Sequence, residues 1–214
     1  MKRFVVVLVI GLMFSCKQGK KYHDAAQMET ATATSDRLTE IFVFQQELNA
    51  EFKDPETSPL ADRFRIDFET LDFFKPDTNY VILAEFIRTP EALPFFMPTT
   101  TERESTEVLF GIAKFTLNGE ERQLEIYQTP ELITQENYKD YLFLPFTDAT
   151  NGKETYGGGR YLDLRIPEGN QIILDFNKAY NPYCAYNKKY SCPLVPSINN
   201  LDTEIKVGVK AFEH

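Results

Sequence analysis

The sequence predicts a mainly β protein: a single antiparallel barrel or sandwich of about eight strands with an N-terminal helix. Three observations predict it. Apolar or alternating segments recur from Tyr80 to Val209, each short enough for a strand and bounded by turn-forming residues. One of those turns is Asn118-Gly119, the preferred two-residue hairpin connection because both positions tolerate positive φ. The chain of 214 residues supports one domain with a sizeable core, and it carries no internal repeat.

The first element is not part of the fold. Lys2 and Arg3 form a positive head, and Phe4 to Phe14 is an apolar run too short to span a bilayer but suited to a signal-peptide core. The run ends at Ser15-Cys16. A small residue directly before a cysteine at this place resembles a bacterial lipoprotein signal, although Met13 and Phe14 depart from its commonest form. The resemblance implies that residues 1–15 are a signal peptide and that Cys16 becomes the acylated first residue. The implied partner is then the lipid bilayer and the location the bacterial cell envelope, at the outer membrane. More than one acyl chain makes such an anchor stable.

Residues 16–34 are polar and small, with almost nothing to bury, and are expected as a lipidated flexible tether. The β-rich domain is expected over 35–214. Ser35 or Asp36 can cap a helix in which Leu38, Ile41, Phe42, Leu48 and Phe52 fall near helical spacing. Pro55, Pro59 and Pro76 then punctuate an irregular stretch anchored by phenylalanines. Strands follow at 80–87, at 93–99 as an edge, and on both arms of the Asn118-Gly119 hairpin. Another falls at 142–146. Residues 160–166 and 171–176 read as a second hairpin across Pro167-Glu168-Gly169-Asn170, and 203–209 closes the series.

Composition excludes several functions. The net charge is −9, and loss of Lys2 and Arg3 with the signal takes it to −11, which argues against nucleic acid as a partner. The two histidines are His23 and His214, in the tether and at the last position. A histidine base inside the domain is therefore excluded, and with it Ser-His-Asp and Cys-His hydrolysis and zinc sites that need histidine. No cofactor is implied.

Two segments can carry chemistry. The first is "DATNGKETYGGGRYLDL", Asp148 to Leu164. Gly157, Gly158 and Gly159 permit backbone paths closed to other residues, and Arg160 follows at once. Exposed amides beside a guanidinium would suit a carboxylate or phosphate. By strand alternation Arg160 shares an apolar row with Leu162 and Leu164, while Tyr161, Asp163 and Arg165 face the other way. Arg160 must then lie at a rim, pair with an acid such as Asp175, or meet a ligand. Asp148, Thr150, Asn151 and Glu154 gather oxygen atoms, but the EF-hand spacing is absent and no metal is expected.

The second segment is "YNPYCAYNKKYSCPLVPSINNL", Tyr180 to Leu201. Its prolines limit the backbone and its asparagines favour turns. Its four tyrosines could wall a pocket or pack the loop upon itself. Cys184 and Cys192 are an even pair in a compartment that permits disulfides, so a bridge between them is expected, contributing roughly 2–3 kcal/mol. Their spacing is not the Cys-x-x-Cys of redox motifs.

Together the two segments resemble the signature of a bacterial domain family of unknown function, often met in lipoproteins, over roughly residues 36–210. The resemblance implies a β-rich domain and no agreed activity, substrate or cofactor. It places Gly157, Gly158, Arg160, Tyr161 and Asp163 in one motif. Asn181, Pro182, Cys184, Ala185, Tyr186, Asn187, Cys192, Pro193 and Asn199 fall in the other. Where this chain has Asn199-Asn200 the family often has Asn-Arg. Three functions compete. One is a binding module for a small anionic or polar ligand, held by Gly157, Gly158, Arg160, Tyr161, Asp163, Asn181, Tyr186, Asn187 and Asn199. The others are a structural or interaction protein of the envelope and a histidine-independent enzyme using carboxylates. The binding reading requires both segments to meet at one mouth of the sheet.

Overall fold

A computed structural model describes residues 22–212, with side chains from Ser35 onward; Cys16 and the expected signal peptide lie outside the described residues. Helix α1 spans Tyr22–Lys53 and the single turn α2 spans Asp62–Arg65. The strands are β1 (Val81–Arg88), β2 (Phe95–Pro98), β3 (Glu104–Leu117), β4 (Glu120–Gln128), β5 (Tyr141–Asp148), β6 (Arg160–Arg165), β7 (Gln171–Asp175) and β8 (Asn200–Leu201). They form one eight-stranded, nearly closed sheet in the order β6-β5-β4-β3-β1-β7, with β2 added to β3 and β8 to β5. All pairings are antiparallel except that of β8 with β5. Among the described residues no helix is long and apolar enough to cross a membrane.

The expected mainly β architecture with one leading helix is the one observed. The β3–β4 hairpin turns at Asn118 and Gly119, whose φ values are 53° and 81°. The inner face of the sheet buries Leu124, Ile126, Leu142, Leu144, Phe146, Leu162, Leu174 and Phe176 around Ile205 and Val207. A second cluster joins Phe52 of α1 to Leu60, Leu71, Tyr186 and Val209. Ile41 and Phe52 are buried as the helical spacing requires, but Phe42, expected beside them, is half exposed.

Three expectations need correction. Helix α1 begins at Tyr22, so residues 22–34 continue it rather than forming a coil. Ala25 to Glu29 have good intrinsic helix propensity, which needs no buried face to act. Strands β6 and β7 do not form a hairpin. They are the two ends of the strand order, because β6 pairs with β5 and β7 with β1. The link between them is held from both sides instead, by Ile166 N–H on the Asp140 carbonyl and Phe86 N–H on the Asn170 carbonyl. Residues 203–209 form no strand, since the Ile205 and Val207 carbonyls are taken by a side chain, that of Arg160.

One side chain also repairs the sheet. Strands β4 and β5 share a single registered pair, Tyr127 with Phe143, and β5 carries Pro145, which has no N–H to give. The fully buried Asn199 amide fills the gap. Its oxygen accepts from Glu125 N–H at 2.7 Å, and its nitrogen donates to the carbonyls of Glu125 (2.8 Å) and Pro145 (2.7 Å). Asn199→Ala should cost about 1–3 kcal/mol for each group left unsatisfied. The check is a fall in urea midpoint with retained β circular dichroism, and an unchanged midpoint would refute this role for Asn199.

Candidate functional site

Arg160 points into the core and is wholly enclosed. Its guanidinium donates to Asp148 Oδ2 at 2.8 Å, to the Ile205 carbonyl at 2.8 Å and to the Val207 carbonyl at 2.5 Å, with the Phe146 ring centroid 5.4 Å away. Burial pushes its pKa down and the Asp148 charge pushes it back, and a guanidinium stays protonated throughout. The partner is Asp148, not the neighbouring-strand Asp175. Asp148 in turn spends Oδ1 on Thr150 N–H, Thr150 Oγ1–H and Ile205 N–H. A ligand has no path to this pair, so the expected Arg160 contact is a structural knot.

The glycines position a side chain rather than an anion. Gly159 is left-handed, φ +92°, and a Cβ there would lie 2.7 Å from the Phe146 carbonyl and 2.6 Å from Val195. A Cβ on Gly158 would meet the Tyr156 ring at 2.6 Å. Gly157 is exposed. The bend therefore lets Tyr156 and Val195 close on it, and the two predicted segments do meet at one end of the sheet. Tyr161 and Tyr180 exchange backbone hydrogen bonds of 2.9 and 3.1 Å, and Tyr161 Oη donates to the Pro193 carbonyl.

The 180–201 loop is packed on the outer face of the sheet. Asn181 is buried and donates to the Lys210 carbonyl at 2.8 Å and to Tyr186 Oη at 3.2 Å. Tyr186 packs edge-on against Phe52 with centroids 4.7 Å apart. Asn187 turns the chain, accepting from Lys189 N–H at 3.2 Å, and both Tyr186 and Asn187 edge a large surface cavity. The expected disulfide is not formed. Cys184 and Cys192 are free thiols held side by side by a hydrogen bond from Cys184 N–H to Cys192 Sγ at 3.2 Å. The loop closes without the bridge because it is tied to β2: Thr100 N–H meets the Cys192 carbonyl at 2.9 Å and Leu194 N–H meets that of Pro98 at 2.8 Å.

A different group of residues carries a polar site. On the outer face Glu107 of β3, Tyr141 and Phe143 of β5, and Tyr161 of β6 line a cavity of about 390 Å³, roofed by Tyr180 and Pro193 of the loop. Asp163 and Tyr180 border a second cavity of about 360 Å³ on the other side of Tyr161. Tyr180 and Tyr141 donate to the same atom, Asp163 Oδ1, at 2.6 and 2.8 Å. Glu107 is 1% exposed and accepts from Ser105 Oγ at 2.7 Å and Thr129 Oγ1 at 2.8 Å. Burial raises the pKa of Glu107 against those two donors. Crowding by protein also raises that of Asp163, opposed by Tyr180 and Tyr141. Arg103, on the wall of the first cavity, acts on Glu107 in the lowering sense, and Arg165 does so on Asp163.

With this geometry in view, comparison places the chain. Residues 66–210 match the model of the family described as "Protein of unknown function (DUF1684)". The solution NMR structure of the uncharacterized protein from gene locus rrnAC0354 of Haloarcula marismortui superposes with a TM-score of 0.66 at 32% identity, over 84% of this chain and 96% of that one. No curated protein matches. The chain belongs to the DUF1684 family.

Of the residues expected to bind a ligand in this DUF1684 chain, Tyr161, Asp163, Tyr186 and Asn187 edge cavities. Arg160, Asn181 and Asn199 are enclosed and bonded to protein, and Gly157 and Gly158 shape the bend. Glu107 was not singled out from sequence. Its alternation with Val108 and Phe110 marks it only as facing away from the core; what covers it, β2 and the loop at Pro193, is remote in sequence.

Two outcomes are expected. Arg160→Met leaves Asp148 as an uncompensated buried charge and should cost about 3–5 kcal/mol in urea unfolding, whereas adding Asp148→Leu should recover part of that loss. A single variant as stable as the parent would remove the knot from this account. For Glu107, the folded pKa lies above its ordinary 4.5, so its stabilising share is full below that pH and is lost as pH rises through the folded value. Glu107→Gln cannot ionise, and its stability relative to the parent should climb over that window. Parallel pH–stability curves would contradict a raised carboxyl.

Proposed function

We propose that this protein is a lipid-anchored binding module of the bacterial envelope that holds a small polar, hydrogen-bond-donating ligand in the outer-face cavities bordered by Glu107 and Asp163. The observation that carries this reading is a buried carboxyl, Glu107, and an outward one, Asp163, neither of them in an ion pair among the described residues, beside the faces of Tyr141, Tyr161 and Tyr180, with Arg103 on the wall of the Glu107 cavity. Removing a group such as Glu107 from water is costly unless hydrogen bonds replace the water. A neutral polyol or an amine in either cavity can donate to the acid there while its carbon skeleton lies on the rings, the usual mix of apolar walls and few polar groups in a ligand site. The anionic half of the expected ligand class loses its support, because it rested on Arg160. Anchoring rests on the Phe4–Phe14 run and Ser15-Cys16, and acylation of Cys16 is testable by mass spectrometry of the N-terminal peptide.

A structural or interaction role is the second reading, favoured by the complete protein pairing of Arg160 and Asn199. The chain has no tryptophan and 11 tyrosines, so intrinsic tyrosine fluorescence reports on the cavity directly. Titration with a monosaccharide, a linear polyol and a quaternary amine should give saturable binding for at least one probe. Asp163→Asn and Tyr180→Phe should then weaken it about tenfold, the worth of a hydrogen bond to a charged group. No saturable change with any probe, and a native mass equal to that of the bare acylated chain, would favour the structural role.

A further inference from the structure

We propose that Cys184 and Cys192 form a thiol–disulfide exchange site for small anionic disulfides, with Cys184 the attacking sulfur and Cys192 the resolving one. The entrance to the site is separate from the carboxylate cavities, although Cys192 also lines the one bordered by Asp163. Cys184 is half-buried and opens on a cavity of about 810 Å³ whose lining includes Arg63, Thr100, Tyr156, Asn187 and Lys188. Cys192 is buried behind it at 7% exposure, its sulfur 3.2 Å from Cys184 N–H. The two sulfurs sit on independently fixed pieces of chain: Cys184 on the 3₁₀ turn Tyr183–Ala185, Cys192 on the extension of β2 at Thr100. Accessibility and nearness, rather than Cys-x-x-Cys spacing, set the chemistry of such a pair.

The surroundings favour a thiolate at the exposed position. The Cys192 thiol holds Cys184 down to about 6, with Tyr156 Oη, 3.8 Å from its sulfur, and Thr100 acting in the same sense against burial. Burial pushes Tyr156 up to about 12, so it stays a neutral donor. Cys192 shifts upward, keeping its proton until it is needed. Gly158 gives the Tyr156 ring its seat, which assigns the triple-glycine bend a task that anion binding does not explain. The cations of the cavity wall, Arg63 and Lys188, select a negatively charged substrate.

The step balances. Cys184 thiolate attacks one sulfur of R–S–S–R, the substrate S–S bond breaks, and RS⁻ leaves as a mixed disulfide forms. Cys192 gives its proton to solvent and attacks Cys184 Sγ, releasing the second RS⁻ and closing the Cys184–Cys192 bond. The dithiol loses two electrons and the substrate disulfide gains them.

The test uses the full acylated chain in detergent, reduced, with oxidised glutathione as probe. The parent should release two equivalents of glutathione per chain, and Cys192→Ala should stop at one with glutathione bound at Cys184. Cys184→Ala should react at least about tenfold more slowly. Arg63→Gln with Lys188→Gln, which leaves both thiols in place, should slow the reaction with oxidised glutathione but not with uncharged hydroxyethyl disulfide. Equal rates for the two cysteine variants would overturn the assignment. So would an oxidised pair that excess glutathione cannot reopen, since that is how an inert structural staple behaves.

Discussion

The Arg160–Asp148 pair is the constraint on which the rest of this structure depends. Taking both charges out of water costs several kcal/mol per ion, and attraction between them repays that only if the remaining donors and acceptors are also filled. Here they nearly are. Asp148 Oδ1 takes three protons from Thr150 and Ile205, and the guanidinium takes the Ile205 and Val207 carbonyls. Only Arg160 Nε lacks a partner. The arrangement does what a closing strand would otherwise do: it satisfies backbone groups of 205–209 that have no ladder and fixes that segment against the ends of β5 and β6.

Strand alternation then carries the consequence to the other face. With Arg160 inside, Tyr161 must point out, and its backbone is the one that pairs with Tyr180. The left-handed Gly159 brings the chain into that position while Phe146 and Val195 crowd it. Core knot and loop docking thus fall on successive residues of a single strand, Arg160 and Tyr161, and the loop docked there supplies the cavity roof. A slip of β6 by one residue would expel the guanidinium, bury Asp163 and detach the loop together.

Much of this was legible in sequence because it is local. Asn118-Gly119 specifies its own turn, and the apolar rows of β4 to β6 specify their own faces. What was not legible is what depends on partners far along the chain. Arg160 could be seen to need an acid or a rim, but its partner Asp148 is chosen by the β5–β6 register, which pairs Phe146 with Arg160. Residues 171–176 read as a hairpin with 160–166 because nearness in sequence is the ordinary guide, yet near-closure of the sheet offered β7 a longer partner in β1. Residues 203–209 alternate like a strand, and nothing local announces that a side chain will take their carbonyls. Glu107 looks like any outward acid until β2 and the 180–201 loop cover it.

The loop also divides its surroundings by charge. On one side lie Glu107, Glu131, Asp163 and the tyrosines, with Arg103 among them; on the other, Arg63 and Lys188 line the cavity with Cys184. Tyr190 lines cavities on both sides, and Cys192, behind Cys184, also lines the wall nearer Asp163. In a protein of net charge −9, the overall field attracts cations, though Arg103 opposes it locally at Glu107. An anion is repelled within about a Debye length, 8–10 Å, of this negative surface and is drawn in only where local cations outweigh that field. Because Tyr190 lines both walls and the two cysteines line one each, a bond made between the sulfurs would also shift atoms that border the acidic side.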